Sequence, residues 1–126
     1  MKIPILIKTD GTITEITPKN EKDFKLAELS AAIECNYVET IYLKHETSSR
    51  DLIMIGDDEG RLHEDSAINE YASLLYEMCW DKGIPPENSL TRMLAAYDSG
   101  NPVQLSTDER FNIYGNIIVC KSGMIK

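Results

Sequence analysis

Residues 3–17 read IPILIKTDGTITEIT, and this stretch decides how the fold begins. The runs 3–9 and 12–17 are rich in β-branched residues, and the second alternates apolar and polar side chains as a half-buried strand does. Asp10-Gly11 lies between the runs. This dipeptide favours a type I′ turn, in which both central residues have positive φ. The stretch therefore predicts a β-hairpin.

Hydrophobic spacing in the rest of the chain predicts three helices and three further strands. The helices are expected from Asp23 to Cys35, from Asp65 or Ser66 to Gly83, and over a short span beginning at Ser89. The strands are expected at residues 37–43, 52–55 and 113–121. Hairpins replace βαβ units in this order, which predicts an α+β domain: a small antiparallel or mixed sheet with two or three helices packed on one face.

The first predicted helix has apolar residues at helical spacing and a residue after it that can end a helix. Leu26, Leu29 and Ile33 are spaced so that they share one apolar face. Asn36 follows the helix, and asparagine tolerates the left-handed geometry that ends many helices. We therefore expect the three apolar residues to be buried and Asn36 to end the helix.

Size and composition indicate one globular domain over residues 1–126. The chain is 42% hydrophobic and 27% charged, outside the range of disordered proteins. Its net charge is -8, and residues 51–100 alone carry 11 acidic against 3 basic residues. Such a surface repels phosphate groups, so we expect no direct nucleic-acid binding. It is suited to solubility or to a basic partner.

Cysteine usage indicates a reducing compartment. Cys35, Cys79 and Cys120 form an odd set without CxxC spacing, and each lies in an apolar or half-apolar stretch. No signal peptide is apparent, and no apolar run approaches the roughly 20 residues of a membrane span. The sequence predicts a cytoplasmic protein with no membrane association.

The densest group of ionisable residues lies at positions 57–65 and begins with Asp57, Asp58 and Glu59. With His63 these acids are an alternative site for a metal-assisted hydrolase, although their spacing does not fit a calcium loop. A solvated turn before a helix accounts for the same residues. No phosphate-binding loop, nucleophile elbow or zinc motif occurs. We therefore predict no enzyme activity, no metal and no cofactor.

Two other groups are candidate contact residues. Glu39 lies within a predicted strand on the same side as Tyr37, and with Arg61 these residues would contact a ligand if that side lines a cavity. A solvated face is the alternative. Tyr76 and Trp80 lie one helical turn apart and could form an exposed aromatic ridge for a partner, or simply widen the core face.

Several segments resemble one family when taken in order. They are Asp10-Gly11-Thr12, Glu15-Ile16, Pro18, Asn20, Phe24, Leu26, Glu28-Leu29, Tyr37-Val38-Glu39, Asp58-Glu59-Gly60-Arg61-Leu62, Asn69, Ala72 and residues 115–119. The family is the bacterial and phage domain-of-unknown-function family numbered three-eight-four-six. Residues 80–110 look like an insertion relative to it. Cys35-Asn36 and His63-Glu64-Asp65 depart from its usual glycine and proline segments.

The resemblance implies an accessory protein of a phage or mobile element that binds rather than catalyses. We expect it to act on a host or element-encoded protein through Asp57, Asp58 and Glu59 or through Tyr76 and Trp80. The first alternative is a binder that sequesters a small molecule, and the second is the metal-assisted hydrolase. The sequence does not decide the oligomeric state.

Overall fold

The computed structural model describes residues 1–45, 48–60 and 67–125. One antiparallel sheet forms its centre, made of β1 (Ile5–Ile7), β2 (Ile13–Glu15), β3 (Val38–Tyr42), β4 (Leu52–Asp57) and β5 (Ile117–Lys121). The strand order is β2-β1-β5-β4-β3, so β5 from the end of the chain joins the two hairpins. The predicted α+β class, with an antiparallel sheet built from hairpins, is confirmed.

The sheet carries three α-helices, α1 (Leu26–Ile33), α2 (Glu70–Trp80) and α3 (Pro86–Ser99), and two short 3-10 helices, Glu109–Phe111 and Ser122–Met124. Within the described part of the chain, none of these helices is both long and apolar enough to cross a membrane. The helix α3 falls in the segment 80–110 and packs against α2.

The helices cover both faces of the sheet because successive strand residues point to opposite sides. Ile117 and Val119 of β5 pack in one cluster with residues of α2 and α3. Ile118 and Cys120 pack in the second cluster with residues of α1. The two-helix layer on one face agrees with the prediction, whereas the position of α1 on the opposite face was not part of it.

The first hairpin forms as predicted, with Ile5 opposite Glu15 and Ile7 opposite Ile13. Its turn is not type I′, because Gly11 has a φ of 89° while Asp10 does not have a positive φ. The amide of Gly11 donates to the carbonyl of Lys8 at 3.0 Å, and that of Lys8 to the carbonyl of Thr12 at 2.9 Å. These bonds define a three-residue loop, which needs positive φ only at its last residue.

Two predictions for α1 were wrong: the burial of Leu26 and the end of the helix at Asn36. Leu26 is 61% exposed because it is the first residue of the helix, and Phe24, just before the helix, is buried with Leu29 and Ile33. The left-handed residue at the end is Glu34, with a φ of 65°, and not Asn36.

The boundaries of three later elements also differ from the predictions. The helix α2 begins at Glu70, since Ile68 pairs with Tyr114 in an isolated bridge and Asn69 caps the helix through the amide of Ala72. The helix α3 begins at Pro86 rather than Ser89, because proline suits the first helical turn. The last strand begins at residue 117 rather than at 113.

Asp51 holds the connection between β3 and β4. Its carboxylate pairs with the ammonium of Lys44 at 2.8 Å and accepts a hydrogen bond from the amide of Ser48 at 2.7 Å. Lys44 and the Ser48 amide lower the pKa of Asp51 from 3.8 to about 2. The carboxylate therefore stabilises the folded state above the unfolded-state pKa.

We expect this stabilisation to be lost as the pH falls from 3.8 to about 2, because the folded protein then has to take up the proton that the unfolded chain already holds. The midpoint of urea unfolding should be lower for Asp51→Asn than for the parent protein near neutral pH, and this difference in midpoint should become smaller in acid. A difference in midpoint that stays constant with pH would contradict this role of Asp51.

Candidate binding groove

A groove of about 980 Å³ lies beside β3, on the face of the sheet that α2 covers. Tyr76 and Trp80 of α2 form one side, and the segment Asn112–Tyr114 contributes to the lining. Glu39 and Ile41 of β3 line the groove from the sheet. We refer to this depression as the β3 groove.

The floor of the β3 groove depends on Gly56. This residue lies opposite Glu39 in the register of β3 and β4, and it is buried. A Cβ atom there would lie 2.7 Å from Cδ1 of Ile117 and 3.3 Å from Cδ1 of Ile41. The absence of a side chain lets these isoleucines pack directly over the strand at this point of the groove lining.

The strand β3 is an edge of the sheet within the described residues. The amide of Asp58 donates to the carbonyl of Tyr37 at 2.9 Å. Because hydrogen-bonded positions alternate along an antiparallel strand, the backbone groups of Tyr37, Glu39 and Ile41 point toward β4. The backbone groups of Val38, Thr40 and Tyr42 therefore point away from β4. Such an edge can accept another strand.

One end of this edge is closed. The indole Nε1 of Trp80 donates to the carbonyl of Tyr42 at 2.9 Å. The ring of His45 packs edge-on against the Trp80 ring, with centroids 4.7 Å apart. Among the described residues, the edge of β3 is therefore uncovered from Val38 to Thr40 and ends where Trp80 covers Tyr42.

The charges along the β3 groove are separated. Glu39, Asp57 and Asp58 line the groove near the start of β3, whereas Lys44 and His45 line it beyond the end of β3. Since Lys44 pairs with Asp51, its charge is partly neutralised. Carboxylates therefore line the groove near the start of β3, and the rings of Trp80 and His45 line it at the other end of the strand.

The predicted contact residues have different positions relative to the β3 groove. Tyr76 and Trp80 are half-buried and pack against the core, yet both line the groove. They contact each other with ring centroids 6.4 Å apart, so they widen the core and also present a surface. Glu39 lines the groove as well, but Tyr37 is 64% exposed and lies outside its lining. Arg61 lies outside the described residues.

The acidic residues Asp57, Asp58 and Glu59 do not all line the same depression. Asp57 and Asp58 line the β3 groove, whereas Glu59, together with Asp57 again, lines a second depression of about 630 Å³ beside Cys35 and Asn116. The described ranges contain no group of three or more His, Cys, Asp or Glu residues placed to hold a metal ion. His63, the fourth member of the hydrolase hypothesis, lies outside those ranges.

The thiols lie in surroundings that suppress ionisation. Burial raises the pKa of Cys120 to about 12 and also raises the pKa of Cys79. Burial and the nearby Asp57 carboxylate raise the pKa of Cys35, whose Sγ donates to the carbonyl of Tyr37 at 3.4 Å. These surroundings disfavour the thiolate form of all three cysteines.

Comparisons with protein-family models, with curated proteins and with solved structures found no match to this chain. The family resemblance described above therefore remains a prediction.

Sequence reasoning missed the residues that shape the groove, namely Thr40, Gly56 and the segment Asn112–Tyr114. A glycine directly after the apolar run 52–55 is a signal of close approach, and Gly56 could have been recognised in that way. The outward direction of the Thr40 backbone depends on which partner β3 pairs with. No local sequence pattern carries that information.

Proposed function

We propose that this protein is an accessory interaction module that binds an extended segment of a partner protein along the edge of β3. The observation that carries the proposal is the outward-pointing backbone of Val38 and Thr40, which no described residue pairs with in the sheet, directly beside a groove of about 980 Å³. In strand addition, backbone hydrogen bonds supply affinity, and pockets for alternate side chains supply specificity. The β3 edge and its groove offer both.

The family resemblance gives this proposal a biological setting. It favours an accessory protein of a phage or mobile element whose partner is a host or element-encoded protein in the cytoplasm. The acidic surplus agrees with a protein partner rather than with nucleic acid, because phosphates are repelled by such a surface. We propose no catalytic role.

Thr40→Pro tests the edge directly. Proline has no N–H, and the Thr40 N–H points away from β4, so the substitution removes an outward donor while the bonds between β3 and β4 remain. We expect peptides selected from a displayed random-sequence library against the parent protein to bind the variant about tenfold more weakly or worse. Fluorescence anisotropy with labelled peptides measures the change.

Thr40→Val is the matched control, since valine keeps the N–H and suits a strand; it should bind the same peptides as well as the parent. Peptides with single N-methylated amides give an independent test that needs no protein variant, and methylation at alternate positions should weaken binding. Selected peptides that bind Thr40→Pro and Thr40→Val equally well would rule out strand addition at β3.

The sequestering of a small molecule is the second candidate function. The volume of the β3 groove falls in the range of ligand pockets, and Glu39 gives it a polar contact. Native mass spectrometry of the purified protein should then show added mass that disappears when the protein is denatured. If no added mass is seen while peptides bind, strand addition is favoured.

A further inference from the structure

We infer that Trp80 ends the strand that is added at β3, so that the bound segment hydrogen-bonds with the backbone of Val38 and Thr40 but not with the Tyr42 carbonyl. This inference rests on the proposed strand addition. It identifies Trp80 as the residue that sets the length and register of the bound segment. The partner is then a short extended segment that leaves the sheet edge at Tyr42.

The Trp80 ring is held in place at the end of β3. Its Nε1 donates to the Tyr42 carbonyl at 2.9 Å. The ring also contacts two other aromatic side chains, with centroid distances of 4.7 Å to His45 and 6.4 Å to Tyr76. Displacement of the indole would break the hydrogen bond and disturb both ring contacts.

An added strand would form no additional hydrogen bond by displacing the indole. Whether the strand is parallel or antiparallel to β3, one of its residues directs its N–H toward the Tyr42 carbonyl. A bond made there at the expense of Trp80 exchanges one N–H···O bond for another and leaves the indole N–H without its acceptor. No described residue pairs in the sheet with the outward carbonyls of Val38 and Thr40, so bonds to them are added ones. Pairing therefore stops between Thr40 and Tyr42.

The other edge of the sheet is covered in a similar way. The backbone groups of Ile13 on β2 point away from β1. The hydroxyl of Tyr97, on α3, lies 3.5 Å from both the amide nitrogen and the carbonyl oxygen of Ile13. Among the described residues, β2 then retains one uncovered outward position, Glu15, whereas β3 retains two in succession. This difference favours β3 as the edge that accepts a segment.

Ester substitution in a bound peptide tests the inference. A peptide selected on the parent protein is synthesised with each amide N–H in turn replaced by an ester oxygen, which removes one donor with little change in shape. On the parent protein, we expect esters at two alternate positions to weaken binding about fivefold, and the ester two residues farther toward Trp80 to change it by about twofold or less. On Trp80→Phe, which keeps a ring but lacks the indole N–H, that third ester should also weaken binding about fivefold. Fluorescence anisotropy measures the affinities.

Tyr76→Phe is the matched control, because it changes another ring of the groove lining and keeps the bond from Trp80 to Tyr42. It should give the same ester pattern as the parent protein. A second measurement needs no variant at Trp80. Since Trp80 is the single tryptophan of the chain, its indole proton gives one NMR signal, and saturating peptide should not speed the exchange of this proton with solvent.

The outcomes separate this inference from the proposed function. If the third ester has the same effect on the parent protein as on Trp80→Phe, or if the peptide speeds exchange of the indole proton, Trp80 does not end the strand and the inference is overturned. The proposed function stands in that case, because esters at the first two positions still weaken binding. If no ester weakens binding to the parent protein, the proposed function itself fails.

Discussion

Replacing Asn69 by alanine is expected to lower the free energy of unfolding by about 3 kcal/mol. The Asn69 side chain is fully buried, and its Nδ2 donates to the carbonyls of Ile7 and Gly115, both at 2.9 Å. Its Oδ1 accepts from the amide of Ala72 at 3.1 Å. Alanine leaves these three backbone groups without this partner, which costs more than the bonds themselves contribute. Urea unfolding followed by circular dichroism measures the effect.

Two further variants show whether the loss of stability comes from the buried side-chain amide of Asn69 or would follow the loss of any asparagine. Asn69→Asp keeps one oxygen for the Ala72 amide but sets its other oxygen against the carbonyls of Ile7 and Gly115, so it should destabilise at least as much as alanine at neutral pH. Asn20 makes three hydrogen bonds with Lys22 and Asp23, but it is exposed, and Asn20→Ala should cost about 1 kcal/mol or less. Equal effects of Asn69→Ala and Asn20→Ala would refute the bridging role.

Replacing Leu75 by alanine is expected to cost about 3 kcal/mol, because it removes a fully buried side chain from the cluster between α2 and the sheet. Leu26→Ala on α1 is the matched control. Leu26 is 61% exposed, so the same substitution there should change stability by about 0.5 kcal/mol or less. Thermal and urea unfolding of both variants check the difference.

The contrast between the two leucines matters because sequence spacing placed Leu26 on the buried face of its helix. A large effect of Leu26→Ala would mean that α1 packs in a different rotation from the one described. A small effect of Leu75→Ala would mean that α2 does not cover the sheet.

Local pattern was enough to predict the elements of the fold. Alternation and Asp10-Gly11 marked the first hairpin, and the β-rich runs 37–43 and 52–55 marked the second. The packing of helices on both faces of the sheet was not predictable. The continuous apolar runs of β4 and β5 indicate that both faces are buried, but they do not show which helix covers each face. The end of α1 at Glu34 was missed because glutamate is an uncommon left-handed residue.

The candidate site was predicted only in part. Glu39, Asp57 and Asp58 were recognised as polar groups in or next to strands, and Tyr76 with Trp80 as a pair one helical turn apart. That these five line one groove follows from strand pairing and from the packing of α2 on the sheet, which are long-range contacts. The sequence also grouped Glu59 with the other acids, whereas the turn directs it to the other depression.

Amide hydrogen exchange with and without a selected peptide shows whether β3 accepts an added strand. In the free protein the amides of Glu39 and Ile41 should exchange slowly, and those of Val38 and Thr40 fast, because only the first pair bonds to β4. Addition of the peptide should slow Val38 and Thr40 at least about tenfold, with little change on β2. Unchanged exchange at Val38 and Thr40 under saturating peptide would contradict the account, wherever else protection appeared.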